Sequence, residues 1–444
     1  LGDVYKRQII RSMRKMFSHC LKLSYKDTAQ QNSYVTIPRA ANSFDNTEIA
    51  ANIDEDIIDS LTGGRLVGSV TSFENFAECP LRYYLRYGVD LKEREEFTFS
   101  PVNFGVVLHA VIREVCDEIK KNGESYYLIS EEKRREMVKR SVAAITDIYQ
   151  NSILKDSSRN SFMIKRMEDL ADRTIWAMGE QLKCGDFVPF VFEHKFNMEV
   201  GDGDRKQLMS GTIDRVDICE NGTDVYVRII DYKTGKKDFN IVKTYYGIDI
   251  QLMVYMEAAM KLVAKMRPGK NVIPAGVFYY NISDPIVSAT TESAEEIEDK
   301  IKGELRLKGM VNSDKDIAEK MDNTEGTSLN IPVSRKADGG FDSRRSKVMN
   351  TEQFNILGRF VDVRAIDTAD RIVGGDIRRS PYKDGQFSSC DRCPYGAVCG
   401  FSVDLPGCNY RKLKKFDDEV LWNNIKEGVD ENGKKMDTGA EERD

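Results

Sequence analysis

The chain has 444 residues, 41% of them hydrophobic, and its 66 basic and 72 acidic side chains leave a net charge of −6. That length exceeds one ordinary domain and carries enough apolar residues for a sizeable core. The balance excludes a uniformly basic coat for a polyanion, so any such contact must be a local patch. There is no continuous apolar run long enough to cross a membrane, and the first residues lack the order of a signal peptide. A soluble cytoplasmic protein with no membrane partner is therefore expected.

The first residue is Leu rather than Met, and the opening LGDVYKRQ resembles translated adapter sequence, so a fragment with its true N-terminus upstream is expected. Residues 9 to 25 suit one helix. Residues 1–60 as a whole read as a linker or the remnant of a preceding domain, 26 to 60 being polar and acidic. Thr71 and Glu74 have the spacing of a capping box, predicting a short helix interrupted by Cys79-Pro80 and resumed through LRYYLRYG, with Gly88 at its end. Leu108, Val111, Ile112, Val115 and Ile119 recur at helical spacing within 104 to 121, and two further helices are expected across 131 to 183.

Beyond Pro189 the period changes to two: FVFEHKFNMEV, QLMSGTIDRVDIC and DVYVRIIDYKTG read as three strands. Residues 249 to 266 return to helix, and AGVFYYNI at 275 to 282 is another strand. This order predicts an α/β fold around a modest mixed sheet flanked by helices. The charged stretch 285 to 350 reads as an insertion with a helix or two. Residues 417–444 read as an acidic disordered tail.

Asn221-Gly222 between the second and third strands is a strong hairpin signal. With those two residues as the turn, Asp214 lies opposite Ile229 and Thr212 opposite Asp231. Asp214, Asp231 and Lys233 then share one face, the two carboxylates diagonal at roughly 7 to 8 Å between backbones. Such a pair suits a hard divalent ion such as Mg²⁺, with Lys233 beside a bound water. An unrelated Asp-x-Lys is ordinarily a solvated ion pair, so the surrounding residues matter. His109 lies at the edge of an apolar helical stripe, with Gly105 one turn earlier leaving room beside the imidazole. Gln251 and Tyr255 are i and i+4 on the helix after the hairpin. Glu193 could add a further contact to the metal or its ligands, but reads rather as an ordinary strand-face residue.

CDRCPYGAVC sets Cys390, Cys393 and Cys399 as C-x2-C-x5-C, with the fourth thiolate to come from Cys408 nearby or from Cys79, more than 300 residues earlier. Spacing alone leaves zinc and an iron-sulfur cluster equally open. Cys20, Cys116, Cys184 and Cys219 read as ordinary. Arg82 and Arg86 alternate with Tyr83, Tyr84 and Tyr87, a mix that suits either phosphate contact with base stacking or packing on the cysteine cluster.

In order, His109, GTIDRVD (211–217), DYKTG (231–235) and QLMVY (251–255) resemble the motif series of RecB-family nucleases in the PD-(D/E)XK superfamily, with its restriction-endonuclease-like core. The resemblance implies a metal-dependent deoxyribonuclease with Mg²⁺ on His109, Asp214, Asp231 and the carbonyl of Tyr232. Lys233 would place the attacking water, with Gln251 and Tyr255 in support. SVTSFENFAECPLRYYLRYGVDLK and the trailing cysteine triplet look like the nuclease domain of AddB-type helicase-nuclease proteins. That implies a 4Fe-4S cluster on Cys79, Cys390, Cys393 and Cys399, closing a nuclease domain over 61–416, with a helicase-like domain before it. It also implies single-stranded DNA or DNA ends as substrate, resected during double-strand break repair, and an AddA-like partner; the basic-aromatic mix makes Arg82, Tyr83 and Arg86 the candidate DNA contacts. No G-x4-G-K-[ST] occurs, so no helicase or ATPase site is expected in these residues. The alternatives are a standalone nuclease of the CRISPR-adaptation type, disfavoured by the long gap between Cys79 and the triplet, and a non-catalytic scaffold binding DNA ends.

Overall fold

The computed structural model describes residues 67–92, 101–148, 158–200, 207–288, 292–404 and 408–441. The helix expected at 9 to 25 and the linker up to residue 60 lie outside them. Among these residues no helix is long and apolar enough to cross a membrane.

In chain order the elements are β1 (Val67–Ser69), α1 (Val70–Glu78), α2 (Pro80–Tyr83) with one π-turn through Gly88, α3 (Pro101–Lys121), α4 (Glu131–Ile148) and α5 (Ser158–Lys183). There follow β2 (Val188–Val200), β3 (Gln207–Asn221), β4 (Asp224–Lys233), α6 (Ile241–Tyr245), α7 (Gln251–Met266) and β5 (Asn271–Asn281). The remainder comprises α8 (Ala294–Glu304), β6 (Lys308–Asn312), α9 (Lys315–Met321), β7 (Val348–Met349), α10 (Thr351–Val373), β8 (Tyr382–Asp384), β9 (Phe387–Ser388), α11 (Gly396–Cys399), β10 (Arg411–Lys412) and α12 (Asp418–Glu441).

A seven-stranded mixed sheet runs β1-β3-β4-β5-β6-β7, with β2 on the other edge of β3. Both faces are covered. Val216, Ile218, Val227, Ile229 and Tyr279 pack against α1, α7 and α10, whereas Ile230, Tyr232, Phe278 and Tyr280 pack against α3, α4 and α5. This explains why β4 reads as a nearly continuous apolar run.

Four expectations need correction. Ser69, not Thr71, caps α1, its side chain accepting from Ser72 N–H, because β1 ends there and Thr71 is already inside the helix. The stretch 285 to 350 is more than an insertion: β6 pairs with β5 and β7 with β6, so it completes the sheet. Asp418–Glu441 is helical, and Leu421 and Ile425 bury themselves against α10, an apolar spacing that the surrounding charges mask. The hairpin turn sits one residue later, on Gly222-Thr223, with Asn221 facing Asp224 and Val216 facing Ile229.

Gly309 shows how closely β6 approaches β5. A Cβ there would lie 1.9 Å from the Val277 carbonyl oxygen, which is backbone and cannot rotate away. Gly309→Ala is expected to cost about 1 to 3 kcal/mol, read as a lower urea midpoint with an unchanged m-value.

Candidate active site

The β3–β4 ladder ends at Arg215 and Ile230, and β1 takes over the same edge of β3 at Leu208 to Ser210. Between those neighbours the strands part, and the next facing residues are Asp214 and Asp231. The hairpin slipped by two residues from the expected register. A shift of two preserves facing, so the carboxylates remain on one side and become directly opposite instead of diagonal. Asp214 Oδ2 accepts the Tyr232 N–H at 2.7 Å, replacing a ladder bond with a side-chain one.

On the other edge of β3, the pairs Phe192–Arg215 and His194–Ile213 bracket Glu193 and Asp214, so Glu193 stands opposite Asp214. Glu193 has a φ of +48°, a left-handed conformation that costs a non-glycine residue energy and recurs at functional sites. His109 reaches in from α3: its Nδ1 lies 3.5 Å from Asp214 Oδ2 and 3.7 Å from Glu193 Oε1. Ligand atoms of His109, Glu193 and Asp214 all fall within 4.8 Å of one another. Asp231 turns instead to Lys233, with Oδ2 to Nζ at 2.5 Å. Sequence reasoning undervalued Glu193. Its signal was the β2–β3 register, which no local pattern reveals.

The electrostatics of this cluster favour a cation. Burial, reinforced by the charge of Asp214 and opposed by Lys233, pushes Asp231 up to about 7. Burial alone would lower His109, but the Asp214 and Glu193 carboxylates outweigh it and raise the imidazole to about 10. Asp231 Oδ2 is buried and, beyond its ion pair, receives no well-formed hydrogen bond, leaving lone-pair capacity for a ligand. Carboxylate oxygens with an imidazole are a donor set that fits a divalent metal ion.

Lys233 is held from a second side. Its Nζ donates to Gln251 Oε1 at 2.9 Å, and Gln251 Nε2 donates to Tyr255 Oη at 2.9 Å. Gly211 is required below them: a Cβ there would lie 2.6 Å from the Phe196 ring and 3.0 Å from that of Tyr255. Gly105 faces the Thr234 methyl rather than the imidazole, and a Cβ there would meet that methyl at 3.6 Å, an ordinary contact.

A profile of the PD-(D/E)XK nuclease superfamily matches residues 68–400. The chain belongs to this superfamily. The nuclease is similar to proteins named as the B subunit of an ATP-dependent helicase/deoxyribonuclease: it is 34% identical over 401 residues to that of Lachnoclostridium phytofermentans, covering 88% of this chain and 34% of the relative. It is 33% identical over 380 residues to that of Thermoanaerobacter sp., covering 83% and 33% respectively. With the protein of Clostridium acetobutylicum the identity is 34% over 391 residues, covering 86% and 34%. The nuclease thus spans about a third of the length of the curated relatives it matches.

Elsewhere, Cys79, Cys390, Cys393 and Cys399 line one pocket with Arg82, Arg379 and Tyr395. Cys79 occupies the break between α1 and α2, while the Tyr395 hydroxyl donates to the Leu91 carbonyl at 2.9 Å, tying the trailing loop to the leading segment. Cys408 is not among the residues lining the pocket, and Cys116 and Cys219 sit in the core. Cys20 lies outside the described residues. Of the aromatic-basic segment, Arg86 is exposed and stacks over Tyr87 at 5.4 Å. Tyr83, read either as a DNA contact or as part of a packed helix, is buried edge-on against Phe76 at 5.6 Å, because α2 packs it under α1. Arg82 pairs with Glu78 and faces the cysteine pocket.

Proposed function

We propose that this chain is the nuclease portion of an AddB-type helicase-nuclease protein. It hydrolyses single-stranded DNA in a Mg²⁺-dependent reaction during resection of double-strand breaks. The observation that carries this reading is the convergence of His109, Glu193 and Asp214 beside the Asp231–Lys233 pair. His109, Asp214, Asp231 and the Tyr232 carbonyl would hold the cation, with Glu193 as a further carboxylate. When bound, a divalent ion withdraws charge from the phosphodiester and lowers the pKa of water. The chain's own contribution is positional. Asp231 and Gln251 clamp the Lys233 ammonium from two sides, where it offsets phosphate charge and orients the attacking water. ATP-driven unwinding belongs to an AddA-type partner and to the remainder of the full-length polypeptide. Arg86 and Tyr87 offer a cation and an aromatic face to the strand.

The test is cleavage of labelled single- and double-stranded oligodeoxynucleotides with Mg²⁺ or with a chelator. Degradation of the single strand that stops on chelation is expected; absence of cleavage, or cleavage that ignores the chelator, overturns the reading.

The four pocket cysteines are assigned to a 4Fe-4S cluster within the same proposal. Among the described residues, no three of their sulfurs lie within 4.8 Å of one another. Tetrahedral zinc, with Zn–S of about 2.3 Å, would draw its thiolates to about 3.8 Å. Buried Nε atoms of Arg82 and Arg379 at the pocket have no hydrogen-bond partner and suit an anionic sulfide cluster. Anaerobically purified protein is expected to be brown and to carry about four irons per chain. Stoichiometric zinc without iron overturns the assignment.

A further inference from the structure

α7 carries Gln251 and Tyr255 yet has no cap of its own, because the residue before it is Ile250, whose side chain holds no acceptor. The first N–H groups of a helix need acceptors from outside the helical ladder. Here they find Glu74 on α1. Its Oε1 accepts from Ile250 N–H at 2.9 Å and from Gln251 N–H at 3.0 Å, across 176 and 177 positions of chain. Its oxygen faces the positive end of the dipole of a 16-residue helix, while burial, opposed by Lys237, pushes Glu74 up to about 7.

α1 is a firm base for that contact. Val70, Phe73 and Phe76 are buried in the core beside α7, and Ser69 caps its start. Glu74 does not hydrogen-bond to His109, Asp214, Asp231 or Lys233; its two bonds go to the amides that begin α7. From there the connection is continuous: Gln251, whose amide Glu74 holds, accepts from Lys233 Nζ at 2.9 Å.

We propose that Glu74 is a positioning residue for hydrolysis: by fixing the first turn of α7 it sets Gln251, and through Gln251 the Lys233 ammonium. This rests on the nuclease reading above. Borrowing the cap from a distant helix makes the alignment of Lys233 depend on how α1 docks.

The experiment combines kinetics on a single-stranded oligodeoxynucleotide with amide hydrogen exchange on the 444-residue chain. Glu74→Ala is expected to lower kcat about 10- to 100-fold, since small misplacements at a reacting centre cost that much, with KM within about twofold. Glu74→Gln, which keeps an acceptor oxygen, restores most of the rate. In a Gln251→Ala background the Glu74→Ala change is expected to alter kcat by less than about twofold, because the two act in series. The Ile250 and Gln251 amides exchange faster in Glu74→Ala. If that variant does not fold, Glu74→Met keeps the bulk without the strong acceptor. Full independent losses from Glu74 and Gln251, or unchanged kcat with unprotected amides, overturn the proposal while wild-type cleavage and its loss in Asp231→Ala leave the nuclease reading standing. A wild-type chain that cleaves nothing removes both.

Discussion

Asp231→Ala is expected to lower the rate of the proposed DNA hydrolysis by about 1000-fold or more, close to 4 kcal/mol of transition-state stabilisation. Three roles would be lost together: a carboxylate facing Asp214 across the parted strands, an acceptor for Lys233, and the cation ligand proposed above. Stability is expected to move differently. Burial pushes Asp231 up to about 7, so near neutrality the folded protein holds a carboxyl that resists ionising. Removing it leaves Lys233 unpaired but still partly exposed, with Gln251 in place. The metal-free variant should therefore melt no lower than the parent. Steady-state cleavage of a single-stranded oligonucleotide, alongside thermal unfolding without metal, measures both. Equal digestion by variant and parent would sink the active site as drawn. Such a trade between activity and stability is common where charges are buried for chemistry.

Asp217→Asn is expected to be the most damaging single change to the fold, costing about 3 to 5 kcal/mol. Asp217 is fully buried and joins two buried guanidiniums: Arg215 binds it through two hydrogen bonds at 2.7 and 2.6 Å, and Arg228 through one at 2.8 Å. Arg228 also lies over the Phe187 ring at 4.8 Å. Neutralising the shared acid leaves two buried cations without compensation, a large share of a typical domain stability of about 5 to 15 kcal/mol. Replacing all three by apolar residues of similar size should cost far less, because no charge is stranded.

The pH dependence of that triad has a definite sign. Burial pushes Asp217 up, but Arg215 and Arg228 outweigh it and hold its carboxyl below the ordinary value of 3.8. A lowered folded-state pKa means stability fully present above the ordinary carboxylate range and lost as pH falls below it. Urea midpoints of parent and Asp217→Asn should therefore converge in acid. A gap that stayed constant down to acid unfolding, or a loss under about 1 kcal/mol at neutral pH, would contradict this account.

Much of the site was legible in the order of residues. The change of period at Pro189, the three strands and the helix carrying Gln251 and Tyr255 follow from local patterning. The sharing of one face by Asp214, Asp231 and Lys233 survived a misplaced turn, since only an odd shift reverses facing. Glu74 shows the opposite case. Its spacing from Thr71 suggested a local capping box, yet it caps a helix more than 170 residues away. The buried triad was also within reach, because Asp217 faces Arg228 directly once the turn is set one residue later.

What the amino-acid order determined by itself was therefore periodic: which segments are strands or helices, and which side of each a residue takes, because backbone geometry repeats every few residues. The fold alone decided which remote elements meet. Glu193 entered the site through the pairing of β2 with β3 and a left-handed backbone. Glu74 met α7, β6 joined the sheet, and α12 closed over α10 for the same reason: partner choice is settled by burial of whole faces and by satisfying stray backbone groups. Neither quantity belongs to any single stretch of chain.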